Sequence, residues 1–262
     1  MRAAFIVLPL LALVACARGD AAAPPAARAP ARPVLVELFT SQGCSSCPPA
    51  DKAVATLAAR PLTERSMIPL VFHVDYWDRL GWRDPFSSAD WTARQNRYAA
   101  ALRSDTIFTP QLVVAGSGGC SGNDGGAVQR LVDKAAASPV QASVTVEPAE
   151  RTDKVWPVTV RAQRERAAGA PAAEVFVALF ENGLETEVRG GENNHKTLHD
   201  ERVVRKLVRA LTLPAGGGSA DARVEVPIEP GWGKALGLVA FVQEPKTMHV
   251  LAVAEAAPPG AP

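Results

Sequence analysis

Cys44-Ser45-Ser46-Cys47 is the part of the chain whose residue types and spacing most directly imply chemistry. Two intervening residues let one sulfur reach the other, so the pair can close a disulfide or release a mixed one. The thiolate is the nucleophile in such exchange, and a helix N-terminus favours it through its dipole and unpaired N–H groups. Cys44 is therefore expected to be the exposed attacker and Cys47 the resolving thiol. Two other readings fit the same residues. One is an inert structural disulfide. The other is a metal site, since His73 could join both sulfurs around copper with mixed S/N ligands. A structural zinc site takes four ligands, and there is no second C-x-x-C. A lone His on a buried strand is more often a hydrogen-bonded core residue, and His73 reads first as that.

Several neighbours could support this chemistry. Glu37 lies inside an apolar run seven residues before Cys44, where burial would raise a carboxyl pKa; a solvated Glu37 is the alternative. Asp51, in the first helical turn, is a favourable partner for the helix dipole. Pro48 and Pro49 suit that turn but bias the preceding residue away from helix. A helix beginning at Pro48 leaves Cys44 further from the dipole. Trp77 and Trp82 lie in a loop that topology places on the same sheet edge as the cysteines. They either line a groove for a partner polypeptide or pack on their own domain. Cys120 follows a strand leading away from the pair, about six residues at ~3.3 Å each, or roughly 20 Å. It should be a free or intermolecular thiol. His195 and His199 are four apart, as ligands on a helix would be, but no third ligand is evident and they read as a surface segment.

The elements that must position these groups follow from hydrophobic periodicity. Val34–Phe39 and Pro69–Tyr76 read as buried strands flanking a helix at Ala50–Arg60. That is a βαβ unit with parallel strands. Helices follow from Ser87 to Ser104 and from Ala127 to Ala137, with a strand at Gln111–Val114 and a glycine-rich turn at 116–126. Beyond Pro139 the pattern changes to short strands: 141–147, 155–163, 174–181, 223–228, 236–243 and 248–254. A helical insertion is expected near 198–211. Many short strands with turn signals suggest an antiparallel sandwich.

The N-terminus predicts export. Arg2 and the apolar run Ala3–Val14 form a signal peptide over residues 1–15, too short to span ~30 Å of hydrocarbon as a helix. Leu13-Val14-Ala15-Cys16 resembles a bacterial lipobox with Cys16 lipidated; Ala15-Cys16-Ala17 also fits a cleavage that removes Cys16. Residues 16–32 are Ala/Pro/Arg-rich and read as a disordered tether; about 17 such residues at ~3.1 Å reach roughly 50 Å. Export to a periplasmic or membrane-anchored envelope location permits disulfides. The net charge is +1, which provides no footprint for nucleic acid. Any membrane attachment would run through the lipid anchor alone.

The motifs VELFTSQGCSSCPPAD and FTPQLVVAG resemble a thioredoxin-like domain over 33–115. Together with HVDYWDRLGW and GGENNHKTLHDERVVR they resemble the bacterial secreted domain-of-unknown-function family 1223, over about 33–256. The resemblance implies an α/β thioredoxin-like domain (33–138) followed by a mostly antiparallel β-sandwich domain (139–262). It implies that Pro110 is a cis-proline holding Thr109 beside the sulfurs for substrate pairing, and that Glu37 is the proton acceptor for the resolving thiol. The expected function is dithiol/disulfide exchange on envelope protein or peptide thiols, without a cofactor. A non-catalytic envelope binding module with a locked disulfide, or a copper-delivery protein, are the alternatives.

Overall fold

The computed structural model describes residues 32–64 and 66–257. The expected signal peptide, Cys16 and the tether up to residue 31 lie outside the described residues. Val34–Thr40 (β1) is buried along its whole length. It pairs in parallel with Met67–His73 (β2), from Val34 opposite Met67 to Thr40 opposite His73. The intervening helix Pro48–Ala58 (α1) carries its prolines in the first turn, where no N–H partner is lost. Ala89–Leu102 (α2) is capped by Ser88, whose side chain accepts from the Asp90 N–H. Gln111–Val114 (β3) runs antiparallel to β1. Gly118–Ser121 (β4) then folds back on β3, and Gly125–Ala136 (α3) follows.

The strands after Pro139 divide between the first sheet and two smaller ones. Ala173–Glu181 (β7), Val203–Leu213 (β10), Leu236–Gln243 (β12) and Val250–Glu255 (β13) extend the same sheet. Its order is β13-β12-β7-β10-β2-β1-β3-β4, a mixed sheet of eight strands. The joint is parallel pairing of β10 with β2, with the Val71 N–H donating to the Arg202 carbonyl at 2.9 Å. Ala142–Pro148 (β5), Val155–Arg164 (β6) and Gly218–Pro227 (β11) form a three-stranded sheet. The class is α/β with mostly β content.

Side-chain alternation assigns the faces of the large sheet. Leu35, Phe39, Leu70 and Phe72 pack with Trp91 and Tyr98 of α2. Val36, Leu38 and Val71 point the other way, to Ala50 and Val54 of α1 and Val132 of α3. Further along, Val175, Val177, Leu238 and Val242 meet Val144, Val158 and Val160 of the small sheet.

One expected element is replaced. Residues 198–211 are not helical: Thr197–Asp200 (β9) and β10 occupy them. The register of β10 against β7 shifts between Val204 and Lys206 and again between Arg209 and Leu211. Each bulge breaks the period of two. Apolar residues then fall at 204, 207, 208 and 211, which mimics helical spacing. Leu184–Glu187 (β8) pairs with β9 as a two-stranded hairpin.

Candidate functional site

Cys44 and Cys47 are disulfide-bonded, with Cα atoms 5.5 Å apart. Cys47 is the N-cap residue of α1, and its carbonyl accepts from the Ala50 and Asp51 N–H groups. The pair thus stands at the carboxyl edge of β1, as the strand–turn–helix pattern requires. The expectation of an exposed Cys44 is corrected: both cysteines have 0% of their surface accessible. Ser45 and Ser46 face solvent in their place.

The cover over Cys44 comes from the β8–β9 hairpin. Asn193, at its tip, is fully buried and donates from Nδ2 to the carbonyls of Gln42 and Cys44, each at 2.9 Å. Glu192 Oε2 accepts from the Ser45 N–H at 2.8 Å, and the Ser45 hydroxyl, then this N–H, lower the Glu192 pKa. The tip lies tight against the aromatic loop: a Cβ on Gly190 would sit 2.1 Å from the Gly81 carbonyl oxygen.

Both tryptophans sit at this cover. Trp77 packs against Gly43, next to Cys44. Trp82 packs on Gly191 and donates from Nε1 to Gln42 Oε1 at 3.2 Å. Thr109–Pro110 is cis. The Pro110 carbonyl accepts from the Gly122 N–H at 2.9 Å, and Asn123 Nδ2 donates to the Ser46 carbonyl at 2.8 Å. Cys120 is opposite Leu112 on β4. The hairpin return brings it back along β3 instead of leaving it at the far end, and it is a free thiol.

Beneath the pair is a buried polar cluster. Thr40 and His73 are register neighbours on β1 and β2, on the α1 face. His73 Nδ1 lies 2.7 Å from Asp84 Oδ2, and Nε2 lies 3.9 Å from Asp200 Oδ1. Asp84 also accepts from the Gln42 N–H at 2.8 Å, and Asp200 from Gln42 Nε2 at 2.7 Å. Burial alone would push the His73 pKa down. The Asp84 charge and hydrogen bond, with Asp200 and Asp51, raise it to about 9. Burial pulls Asp84 up, but His73 and two backbone N–H groups hold it low. Burial and the Asp200 charge raise Asp51 to about 7. Asp200 is raised chiefly by burial.

These contacts correct two expectations. Both His73 nitrogens face carboxylates, and among the described residues no three His, Cys, Asp or Glu side chains are grouped to hold a metal. The Cys44/Cys47/His73 copper site is therefore not formed. Glu37 belongs with Leu35 and Phe39 on the α2 face, away from α1 and Cys47. Its Oε1 accepts from Arg94 Nε at 2.7 Å and its Oε2 from the Tyr98 hydroxyl. Arg94 also reaches Gln243 Oε1 at 3.3 Å. Glu37 is a fixed partner in a core ion pair, not the acid beside Cys47. His199 sits on β9 and pairs with exposed Glu185 at 3.3 Å. His195 precedes that strand, so the two do not share a helix face.

Gln42, Asp84, Asn193 and Asp200 were missed from sequence. Asn193 and Asp200 stand inside the GGENNHKTLHDERVVR string, so that string held the available signal. Gln42 immediately precedes the Cys loop.

The fold and site define a mixed α/β protein with a sealed C-x-x-C disulfide at a helix N-terminus. The model of the family described as "Protein of unknown function (DUF1223)" matches residues 35–243, and the chain belongs to that family. It is similar to a protein of Agrobacterium tumefaciens of known structure. That match has 25% identity and a TM-score of 0.64, and covers 85% of this chain and 92% of that one. HBP35 of Porphyromonas gingivalis shares the fold at 14% identity and a TM-score of 0.59, over 86% of this chain and 74% of its own. None of the curated proteins matches the chain. No helix among the described residues is long and apolar enough to cross a membrane.

Proposed function

We propose that the protein carries out thiol–disulfide exchange at Cys44–Cys47 on protein or peptide thiols of the cell envelope, with the β8–β9 tip as a gate over Cys44. In this reading residues 33–138 form a thioredoxin-like half and the strands of 139–262 a sandwich that carries the gate. Trp77 and Trp82 pack against Gly43 and Gly191, and in this reading Thr109 and Pro110 complete the surface where a substrate chain would lie.

The observation that carries the reading is the short span of the bridge. It joins residues only three apart, within one helix N-terminus. Loop-closure entropy for so few residues is worth about 2 kcal/mol, against nearly 5 for a 100-residue loop. The bridge ties no distant parts of the chain together, so stapling is a poor account of it. Exchange chemistry explains the spacing and the helix N-terminus together.

Complete burial of both sulfurs favours a second reading, a binding or assembly module with a locked disulfide. The reduction potential separates the two. A value above about −250 mV supports exchange, and one well below −300 mV marks a structural bond. Trapping with Cys47→Ala supplies the partner: mixed disulfides should accumulate at Cys44 in the envelope, and their absence would overturn the exchange reading.

A further inference from the structure

A sealed disulfide raises a question of proton supply. When the Cys44–Cys47 bond opens, Cys47 leaves as a thiolate with no accessible surface. A proton donor already inside the seal would serve it without waiting for water to enter. Glu37 cannot provide the proton from the opposite face of the sheet.

Asp51 stands one helical turn beyond Cys47. Cys47 already has helical dihedrals, and the Asp51 N–H donates to its carbonyl at 3.2 Å. Residues four apart share a helix face, and each Cα–Cβ bond tilts toward the N-terminus. The Asp51 carboxyl therefore leans back toward the cysteine turn. Its Oδ1 is shut from solvent, and the Thr40 hydroxyl faces the carboxyl closely enough to lower its pKa. His73 Nε2 has no hydrogen-bond partner. Buried polar atoms without partners are uncommon, and one set among the Asp51 and Asp200 carboxylates calls for an explanation. The charged groups facing Asp51 are His73 from β2, Asp84 from the aromatic loop and Asp200 from β9. With the carboxyl held at about 7, both of its forms are present at neutrality, as proton transfer requires.

We propose that Asp51 exchanges the proton of Cys47, with His73, Asp84 and Asp200 setting its charge environment from behind. The proposal deepens the exchange reading and rests on it. A substrate thiolate attacks Cys44 Sγ and forms a new S–S bond. The Sγ–Sγ bond breaks, its electron pair passes to Cys47, and the Asp51 carboxyl proton moves to that sulfur. The products are the mixed disulfide, a Cys47 thiol and an Asp51 carboxylate. The substrate sulfur is oxidised and Cys47 is reduced. In the reverse direction the Asp51 carboxylate takes the Cys47 proton, and the new thiolate attacks the mixed disulfide.

The test uses the whole chain labelled with ¹³C at aspartate carboxyls, with glutathione as the thiol probe. Titration of Asp51 by NMR should shift by at least ~0.5 pH unit between the oxidised and reduced forms, because the two sites are coupled. Asp51→Asn keeps the shape of the protonated acid. It should remove the inflection near neutrality from the pH–rate profile and slow resolution of the Cys44 mixed disulfide about tenfold or more. Asp51→Glu should restore part of the profile. An Asp51 titration indifferent to redox state, or a superimposable Asp51→Asn profile, overturns the proposal. If the wild-type protein does not react with glutathione while the Asp51 titration still shifts, proton coupling is supported and the exchange reading falls.

Discussion

Asn193 and Cys44 are 149 positions apart in sequence, yet the Asn193 side-chain amide donates to the Cys44 carbonyl at 2.9 Å. The contact closes the hairpin tip over the disulfide. It makes access to the sulfur a property of the hairpin as much as of the cysteine loop.

Asn193→Ala removes the donors to two buried carbonyls. The loss should cost about 1–3 kcal/mol of stability, and much of that falls on the closed state of the tip. Reduction of the wild-type disulfide by dithiothreitol should be slow, and reduction of the variant roughly 5- to 100-fold faster. Equal rates would show that the tip does not limit access.

Gly190→Ala approaches the gate by another route. The new Cβ would overlap the Gly81 carbonyl oxygen, so the tip must move although the Asn193 amide is intact. Hydrogen exchange at residues 188–196 and the dithiothreitol rate should rise together. A rise in one without the other would separate tip mobility from sulfur access.

Glu37→Gln strands the Arg94 guanidinium in the core. Breaking a buried pair on one side costs about 3–5 kcal/mol, read as a lower denaturant midpoint. The pH profile of disulfide exchange should keep its shape, since Glu37 and Cys47 lie on opposite faces. A changed profile would return Glu37 to the site.

The buried cluster makes stability depend on pH. His73 binds its proton more tightly folded than unfolded, with a pKa of about 9 against 6.5. Its contribution is complete below about pH 6.5 and lost by about pH 9. Asp51, near 7 against 3.8, contributes fully below about pH 3.8 and loses that contribution by about pH 7. Asp84 acts in the opposite sense: its lowered pKa adds stability above pH 3.8 that is lost on acidification. Stability should therefore fall between pH 6.5 and 9, by roughly 3 kcal/mol for His73 alone, read as a lower melting temperature. His73→Gln should flatten that slope; a slope identical to wild type would place the loss elsewhere.

Local chemistry was readable along the chain. The β1–α1–β2 unit follows from buried strand runs around an amphipathic segment. The Pro48–Pro49 pair marked the start of α1, and Cys44-x-x-Cys47 marked the candidate site. The Trp77–Trp82 loop could be placed on the same edge because parallel strands share their carboxyl ends. These features depend on residues close in sequence or on a topological rule that admits one answer.

Tertiary structure decided the rest. Glu37 and Thr40 sit on opposite faces of one strand, but which face receives α1 is set by packing of the whole sheet. That choice gave Arg94 to Glu37 and turned Thr40 and His73 toward α1. β10 was unreadable because two bulges gave a strand the apolar spacing of a helix. Its pairing with β2 brought the C-terminal strands into the first sheet and carried Asn193 and Asp200 to the cysteines. Hydrogen bonds across such separations leave no periodicity in the chain, so the seal over Cys44 and the acid cluster beneath it exist only in the folded molecule.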